Sequence, residues 1–149
     1  MMEKVILLVE DNPSDIGLTQ RALEKSGISN PLSVAEDGQA ALDYLFGIGT
    51  HAGRDTSDQP ILVLLDLKLP RIDGLEVLRL IRADSRTRRI PVVILTSSIE
   101  EQDLAAGYDL GTNSYVRKPV DFHQFAEVIN QLSLYWLVIN QPPPKSSGV

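Results

Sequence analysis

The chain runs ILVLLDLKLP from residue 61 to residue 70, and the first five of these residues are all aliphatic. A strand that is half exposed alternates apolar and polar side chains, whereas a strand of a parallel sheet is covered by helices on both faces and is apolar throughout. We therefore predict that residues 61–65 form the central strand of a parallel sheet. Asp66 then stands directly at its carboxyl end.

Similar short apolar runs occur on both sides of this stretch and alternate with segments of helical period. The predicted strands are residues 5–9, 31–35, 61–65, 91–95 and 113–116. The predicted helices are 13 to about 27, 38–46, 74–83, 100–109 and 121 to about 140. Asn12 is the expected N-cap of the first helix, with Pro13 in its first turn. The order predicts an α/β fold, a doubly wound five-stranded parallel sheet.

Composition places the chain among ordinary globular domains. Its 149 residues contain 14 Lys and Arg against 20 Asp and Glu, a net charge of −6, which argues against binding nucleic acid by bulk charge. There is no cysteine, and no apolar run approaches the ~20 residues of a membrane span. We expect one domain at residues 1–140, with no membrane association and a cytoplasmic location. A flexible tail rich in Pro and Ser follows at 141–149, and residues 47–59 form an excursion loop.

Reactive side chains follow four of the five predicted strands. They are Glu10 and Asp11 after the first, Asp66 after the third, Thr96-Ser97-Ser98 after the fourth, and Arg117-Lys118-Pro119 after the fifth. The carboxyl ends of parallel strands meet at one edge of the sheet, which is where such folds bind their ligands. The sequence therefore predicts acids, a hydroxyl and an ammonium group around a single site.

Three carboxylates at one edge repel each other unless a cation joins them. Mg²⁺ binds oxygen ligands, so Glu10, Asp11 and Asp66 are the predicted metal ligands, together with the backbone carbonyl of Lys68. Thr96 as a hydrogen-bond donor and Lys118 as a point charge could hold a phosphoryl group. Asp66 is the best-placed acceptor because it follows the central strand. A cis bond at Pro119 would aim Lys118 inward.

The motifs resemble the receiver domain of two-component response regulators over about residues 4–137. They read VEDNPSD at 9–15, LLDLKLP at 64–70, IDG at 72–74, LTSS at 95–98 and RKP at 117–119. The resemblance implies a flavodoxin-like strand order 2-1-3-4-5 and a phosphoacceptor, Asp66, that takes its phosphoryl group from a sensor histidine kinase. It further implies Mg²⁺ or Mn²⁺ at the acids, Thr96 and Lys118 on the phosphoryl oxygens, and Tyr115 as a rotating aromatic switch beside Thr96.

A narrower resemblance is to stand-alone receivers, because these residues include no DNA-binding or enzymatic domain. The 47–59 loop and the prolonged final helix are similar to those of receivers paired with cyanobacterial and bacterial phytochromes. Such a protein accepts a phosphoryl group and slowly loses it rather than acting as an enzyme, and its output is altered binding to a downstream protein. The sequence does not name that partner, and it departs from the family pattern in the loop and after Leu134.

Three other classes of protein would need different residues at these strand ends. A dinucleotide-binding enzyme needs Gly-x-Gly-x-x-Gly after the first strand, where this chain has acids. An aspartyl-phosphate hydrolase usually carries a second Asp where this chain has Lys68. The remaining alternative is a receiver-like binding module that works without phosphorylation, which an incomplete pocket would indicate.

Some of these residues also have a purely structural interpretation. Taken alone, Lys118 is typical of a surface lysine and Tyr115 of an ordinary strand aromatic. The arginines at 79, 82, 86, 88 and 89 are interpreted as a solvated, acid-paired helix face.

The last helix is apolar on more than one side. One face, expected to pack on the sheet, consists of Phe122, Phe125, Ile129, Leu132 and Trp136. The six apolar residues 134–139 leave Leu134, Tyr135 and Val138 pointing away from that face, and such a patch marks an interface. We predict a two-fold homodimer through this helix. The alternative is that the chain's extension folds back and covers the patch.

Overall fold

A computed structural model of the chain describes residues 4–144, in which five parallel strands alternate with five α-helices. The strands are β1 (Ile6–Val9), β2 (Leu32–Ala35), β3 (Leu62–Leu65), β4 (Val92–Thr96) and β5 (Ser114–Arg117). The helices are α1 (Pro13–Lys25), α2 (Gly38–Phe46), α3 (Gly74–Ala83), α4 (Glu101–Asp109) and α5 (Phe122–Ser133). The predicted β-α order is confirmed, and both ends of each predicted strand fall within one residue of the observed strand.

The strand order is β2-β1-β3-β4-β5, which confirms both the implied order and the central place of β3. Val9 of β1 pairs with Leu65 of β3, and Leu65 pairs with Ile94 of β4. The carboxyl ends of these three strands therefore lie side by side. Whatever residue follows each strand is brought to the same edge of the sheet.

Both faces of the sheet are covered, as the aliphatic run predicted. Val63 and Leu65 pack into a cluster with α2 and α3, while Leu62 and Leu64 pack into a second cluster with α1 and α5. None of these four side chains is more than 2% exposed. A strand whose alternate residues enter two separate cores has no polar face, which explains why this run contains only aliphatic residues.

Local contacts fix where two helices, α1 and α3, begin next to the carboxyl edge of the sheet. The Asn12 side chain accepts hydrogen bonds from the backbone N–H groups of Ser14 and Asp15, as predicted for the N-cap of α1. At the start of α3, a Cβ on Gly74 would overlap the backbone of Asp66 and Leu67. Glycine at this position lets α3 begin directly against the end of β3, which fixes the position of Asp66.

The last helix differs from its prediction in two ways. The α-helix ends at Ser133, and residues 134–139 form a wider π-helical turn. The Ser133 hydroxyl donates to the Ile129 carbonyl at 2.7 Å, a bond that competes with the regular ladder and distorts helices. Four of the five residues predicted to face the sheet pack into its core, namely Phe125, Ile129, Leu132 and Trp136. The fifth, Phe122, is 45% exposed, because it is the first residue of α5 and lies outside that core cluster.

The predicted excursion loop is well ordered. It contains a short 3₁₀ turn at Gly49–His51, and the Arg54 guanidinium donates to the carbonyls of Tyr44, Leu45 and Asp58. Of the predicted tail, residues 141–144 have no regular secondary structure and residues 145–149 lie outside the described residues. Within residues 4–144, no helix combines the length and the apolar character that crossing a lipid bilayer requires.

Candidate functional site

The structure brings the predicted acids together at the carboxyl edge of the sheet. One carboxylate oxygen from each of Glu10, Asp11 and Asp66 lies within 4.8 Å of the others. Glu10 and Asp66 are buried, whereas Asp11 is exposed. Glu10 Oε2 accepts the Asn12 N–H at 3.1 Å, and Asp66 Oδ1 accepts the Leu67 N–H at 2.7 Å. These backbone bonds orient the two buried carboxylates toward the opening.

Lys118 reaches into this cluster from the end of β5. Its ammonium group donates to Glu10 Oε1 at 2.5 Å, to Asp15 Oδ2 at 2.9 Å and to Asp66 Oδ2 at 3.1 Å, and its side chain is 9% exposed. Its backbone N–H donates to the Thr96 carbonyl at 2.7 Å, which holds the segment against β4. No peptide bond within residues 4–144 is cis, so Lys118 makes these contacts with a trans bond to Pro119.

Burial and neighbouring charges act in opposite directions on the pKa values of Lys118 and Glu10. Burial works to lower the pKa of Lys118, but hydrogen bonds to Asp15 and Glu10 and the charge of Asp66 outweigh it, so the pKa lies above its ordinary value. For Glu10, burial raises the pKa and outweighs the lowering by Lys118 and by the Asn12 N–H, and the negative charge of Asp66 raises it further. The pocket therefore carries more negative charge than Lys118 can compensate.

Asp15 is a member of this site that the sequence reasoning missed. It lies in the first turn of α1, four residues after Asp11, and contacts the same ammonium group as Glu10. The signal was available in the sequence, because the capping Asn12 fixes where the helix starts and puts Asp15 in its first turn, next to the edge where the other acids gather. Asp15 holds Lys118 together with Glu10 and Asp66.

A hard divalent cation fits the donor set that these residues provide. Glu10, Asp11 and Asp66 offer carboxylate oxygens only, and such oxygens are what Mg²⁺ and Mn²⁺ prefer. Beside them an open cavity of about 380 Å³ is bounded by Asp11, Lys68 and Asp103 among others. The Lys68 side chain is 61% exposed, and its Nζ lies 3.4 Å from Asp103 Oδ2. That the Lys68 backbone carbonyl binds the metal stays a prediction.

Thr96 and Tyr115 occupy neighbouring strands behind the acids. Thr96 is fully buried, and its hydroxyl oxygen accepts the Ser98 N–H at 3.3 Å. The Tyr115 ring packs against the core cluster that contains Ile94 and lies beside Gly107 of α4, and its hydroxyl is buried without a hydrogen-bond partner among residues 4–144. A buried hydroxyl without a hydrogen-bond partner costs free energy in this position of the ring. The switch role of both residues stays a prediction.

Ser98 and Asp103 add a connection that the sequence reasoning did not find. The Ser98 hydroxyl donates to Asp103 Oδ2 at 2.6 Å, and both side chains are buried. Together with the Lys68 contact, this bond ties the loop after β4 to α4 and to the loop after β3. No local pattern marks Asp103, because it resembles any acid in the first turn of a helix.

The predicted interface residues lie apart from this site. Leu134, Tyr135 and Val138 are 51%, 48% and 65% exposed, as expected for side chains that point away from the core. They belong to the π-helical turn that follows α5, whereas the acids lie at the edge where α5 begins. The alternative was that the chain's extension folds back and covers this patch. Up to residue 144 the extension does not do so, because all three side chains remain exposed.

We expect Glu10→Gln to stabilise the metal-free protein at pH 7 by on the order of 1 kcal/mol. The raised pKa of Glu10 means that the folded chain holds a proton which the unfolded chain releases near pH 4.5. Stability from this group is thus present at low pH and is lost as pH rises through the folded pKa. The Gln side chain can still accept the Asn12 N–H, and Lys118 keeps two carboxylates.

Urea unfolding in EDTA, from about pH 4.5 to pH 7, measures this effect. The variant should lose the fall in stability that the wild type shows as pH rises, and it should lose stabilisation by Mg²⁺. Asp109→Asn is the matched control, because Asp109 is exposed at the end of α4 and its change should stay within about 0.5 kcal/mol. A Glu10→Gln protein that is less stable than the wild type at pH 7 contradicts the argument.

Comparison with known proteins identifies what the chain is similar to. A family model described as "Response regulator receiver domain" matches residues 6–130. The probable methanogenesis regulatory protein FilR2 of Methanothrix harundinacea (strain 6Ac) is 43% identical over 139 residues, which make up 93% of this chain and 87% of FilR2. The similarity therefore extends over almost the whole length of both proteins.

Two solved structures are similar over nearly the whole chain. The phosphorylated cyanobacterial phytochrome response regulator RcpA superposes with a TM-score of 0.89 at 39% identity, covering 95% of this chain and 99% of RcpA. The bacteriophytochrome response regulator RtBRR is 51% identical with a TM-score of 0.76, covering 97% of this chain and 87% of RtBRR. Fold, length and sequence agree in both comparisons.

Proposed function

This chain belongs to the family of response regulator receiver domains, and on that premise we propose that its Asp66 accepts a phosphoryl group from a sensor histidine kinase. The observation that carries the proposal is the contact of Asp66 Oδ2 with Lys118 in a pocket that also holds Glu10 and Asp11. A structural ion pair needs one acid, whereas this lysine meets three. The surplus of carboxylates is suited to a divalent cation and a transferring phosphoryl group.

The transfer is a displacement at phosphorus. A carboxylate oxygen of Asp66 attacks the phosphorus of a phosphohistidine, the new O–P bond forms as the P–N bond breaks, and the imidazole leaves with the electron pair and takes up a proton. The Lys118 ammonium and the Thr96 hydroxyl bind the phosphoryl oxygens. Glu10, Asp11, Asp66 and the Lys68 carbonyl would hold Mg²⁺ or Mn²⁺, which would supply positive charge to those oxygens.

The product is an aspartyl phosphate, which water hydrolyses slowly back to Asp66 and phosphate. The chain is therefore a signalling module rather than an enzyme in the usual sense. The direct test is the intact mass of the protein after incubation with a small phosphoryl donor. With Mg²⁺ the wild type should gain the mass of one phosphoryl group, and with EDTA it should gain none. A wild type that gains nothing with Mg²⁺ contradicts the proposal.

The kinase that we propose is a phytochrome-type histidine kinase in the cytoplasm. RcpA and RtBRR are described as phytochrome response regulators and resemble this chain over nearly its whole length. Transfer from a phosphorylated phytochrome kinase should be at least about tenfold faster than from an unrelated histidine kinase, as expected for matched partners. Equal rates from both kinases would leave the receiver function intact and reject the phytochrome partner.

The output that we propose is altered binding to a downstream protein, not to nucleic acid, through a shift between two existing conformations. Phosphoryl oxygens draw the Thr96 hydroxyl away from the Ser98 N–H, and Tyr115 then changes position. The alternative is a binding module that ignores phosphorylation. The complete set of Asp66, Thr96 and Lys118 favours the first.

Thr96→Ala should separate phosphorylation from output. The variant lacks the hydroxyl that senses the phosphoryl group, but it keeps Asp66 and Lys118, so it should still gain one phosphoryl mass. The position of Tyr115 should then no longer change on phosphorylation, as measured by the NMR signals of its ring. Thr96→Ser, which keeps the hydroxyl, is the matched control. A variant in which Tyr115 changes position as in the wild type rejects the coupling.

We also propose that the chain forms a two-fold homodimer through the face that contains Leu134, Tyr135 and Val138. Tyr135 packs edge-on against Trp136 with ring centroids 5.0 Å apart, which fixes the ring while leaving it half exposed. Ile139, four residues after Tyr135, is 58% exposed, so this turn carries four large exposed apolar side chains. Exposed apolar patches with aromatic residues are typical of interfaces.

Sedimentation at micromolar concentration tests the homodimer. The wild type should be a dimer, and the double variant Tyr135→Glu with Val138→Glu should be a folded monomer, because two buried charges make the interface unfavourable. Ile48→Glu is the matched control, since Ile48 is 47% exposed on a different part of the surface. A wild type that remains monomeric with and without phosphorylation contradicts the proposal.

A further inference from the structure

Three features of the sequence play no part in the acidic site, and they meet in one place. They are the 47–59 loop, the segment after the last helix, and the arginines that follow α3. Gln59 of the loop, residues 142–144 of the segment, and the arginines 86, 88 and 89 line the same cavity, whose volume is about 480 Å³. A volume in this range is typical of sites that bind small molecules.

This cavity lies at the opposite edge of the sheet from Asp66. Its wall includes Lys4, Ile61 and Pro91, and each of these residues comes just before a strand. The acids of the site, Glu10, Asp11 and Asp66, come just after the first two of these three strands. Strands of four residues at ~3.3 Å per residue place the two edges roughly 13 Å apart. A ligand in the cavity therefore does not touch Asp66.

The lining of the cavity is basic although the chain is acidic. Among residues 4–144, four cations line it, namely Lys4 and the arginines 86, 88 and 89, and no acidic residue does. Lys4 is paired with Asp58 and Arg86 with Asp84. Arg88 and Arg89 form no salt bridge with any carboxylate of residues 4–144. The expectation of a solvated, acid-paired arginine face is thus met by Arg79 and Arg86, but not by Arg88 and Arg89. It is not met by Arg82 either, whose guanidinium donates to carbonyl groups instead.

The arginine segment is held in place by its backbone. The Arg82 guanidinium, on α3, donates to the carbonyls of Arg88 at 3.0 Å and Ile90 at 2.8 Å. The buried Thr87 hydroxyl donates to the Ile81 carbonyl at 2.7 Å. On the opposite wall, the Gln59 amide donates to the Leu45 carbonyl at 2.9 Å. A preformed cavity does not need to become ordered when it binds a ligand, which favours affinity.

We propose that this cavity is a second binding site, which takes a small organic anion with a phosphate or carboxylate group attached to an apolar or ring-shaped body. Arg88 and Arg89 bind the anionic group, because guanidinium groups form paired hydrogen bonds with both kinds of oxyanion. The apolar body lies against Ile61, Ile90 and the prolines 142–144, which supply the uncharged part of the wall. The site is independent of phosphoryl transfer at Asp66.

The experiment uses the full chain with its acidic site first saturated by Mg²⁺ and beryllofluoride. Phenyl phosphate, benzoate, inorganic phosphate and benzyl alcohol are titrated to about 10 mM while backbone amide NMR signals are followed. Phenyl phosphate or benzoate should bind saturably, shifting Gln59 and Ile90 but not Thr96, and the tighter of the two identifies the anionic group. Inorganic phosphate and benzyl alcohol should bind at least about tenfold more weakly.

The double variant Arg88→Ala with Arg89→Ala should weaken that binding by about tenfold or more. Both side chains are exposed, so the variant should fold, and its thermal unfolding checks this. Arg79→Ala is the matched control, because Arg79 is paired with Glu76 outside the cavity and its loss should leave binding unchanged. Absence of saturable binding by both ring anions, shifts at Thr96 instead, or unaltered binding in the double variant would each overturn the proposal.

Discussion

Asp66→Asn should abolish phosphoryl uptake, with a loss of at least about a hundredfold in the rate of transfer. The wild type gains one phosphoryl mass from a small donor in the presence of Mg²⁺, and the variant gains none. Asn keeps the size of the side chain and can still accept the Leu67 N–H, but its amide is not a nucleophile. The loss therefore reports on the reacting oxygen and not on a change in fold.

Intact mass spectrometry measures this result, and peptide mapping locates the phosphoryl group. Asp109→Asn is the matched control, because Asp109 is an exposed acid at the end of α4 and should leave uptake unchanged. Phosphorylation of the Asp66→Asn protein on a serine or a histidine would show that the acceptor has been assigned wrongly. It would also make the contact between Asp66 and Lys118 purely structural.

Lys118→Met has the second large effect that we expect. In EDTA the free energy of unfolding should fall by about 3–5 kcal/mol, because removing one partner of a buried ion pair leaves charge uncompensated. Here Glu10, Asp15 and Asp66 would lose the cation they share. Phosphoryl transfer should also fall by at least about tenfold, since the phosphoryl oxygens lose a positive charge.

Urea unfolding with and without Mg²⁺ separates the two contributions of Lys118. Mg²⁺ should restore part of the lost stability, because the cation compensates the same carboxylates. Lys68→Met is the matched control, since the Lys68 side chain is 61% exposed and a surface ion pair contributes about 1 kcal/mol at most. If Lys118→Met were as stable as the wild type in EDTA, the acids could not depend on this lysine for their charge balance.

Lys118→Met and Glu10→Gln therefore have opposite expected signs. Each variant removes one charge from the same cluster. The first removes the only ammonium group of residues 4–144 that contacts the cluster, and the second removes one of several carboxylates. A simple loss of packing would destabilise the protein in both cases. The difference in sign is what identifies a pocket with excess negative charge, a state suited to binding a cation and a phosphoryl group.

The order of strands and helices, and the edge at which the reactive residues gather, were determined by the sequence alone. The aliphatic run before Asp66 could be satisfied only by a strand covered on both faces. Once the strands are parallel, every residue that follows a strand is carried to the same edge. Glu10, Asp66, Thr96 and Lys118 could therefore be assigned to one site without coordinates, because their placement depends on periodicity and direction.

Side-chain partners were decided only by the tertiary structure. Asp15 and Lys118 are 103 residues apart, and their contact depends on how α1 packs against α5, the helix that follows β5. The pairing of Ser98 with Asp103, the exposure of Phe122 and the basic cavity beyond the other edge of the sheet have the same origin. Periodicity fixes which face a residue occupies, whereas distances between residues far apart in sequence follow from how the packed helices fill the core.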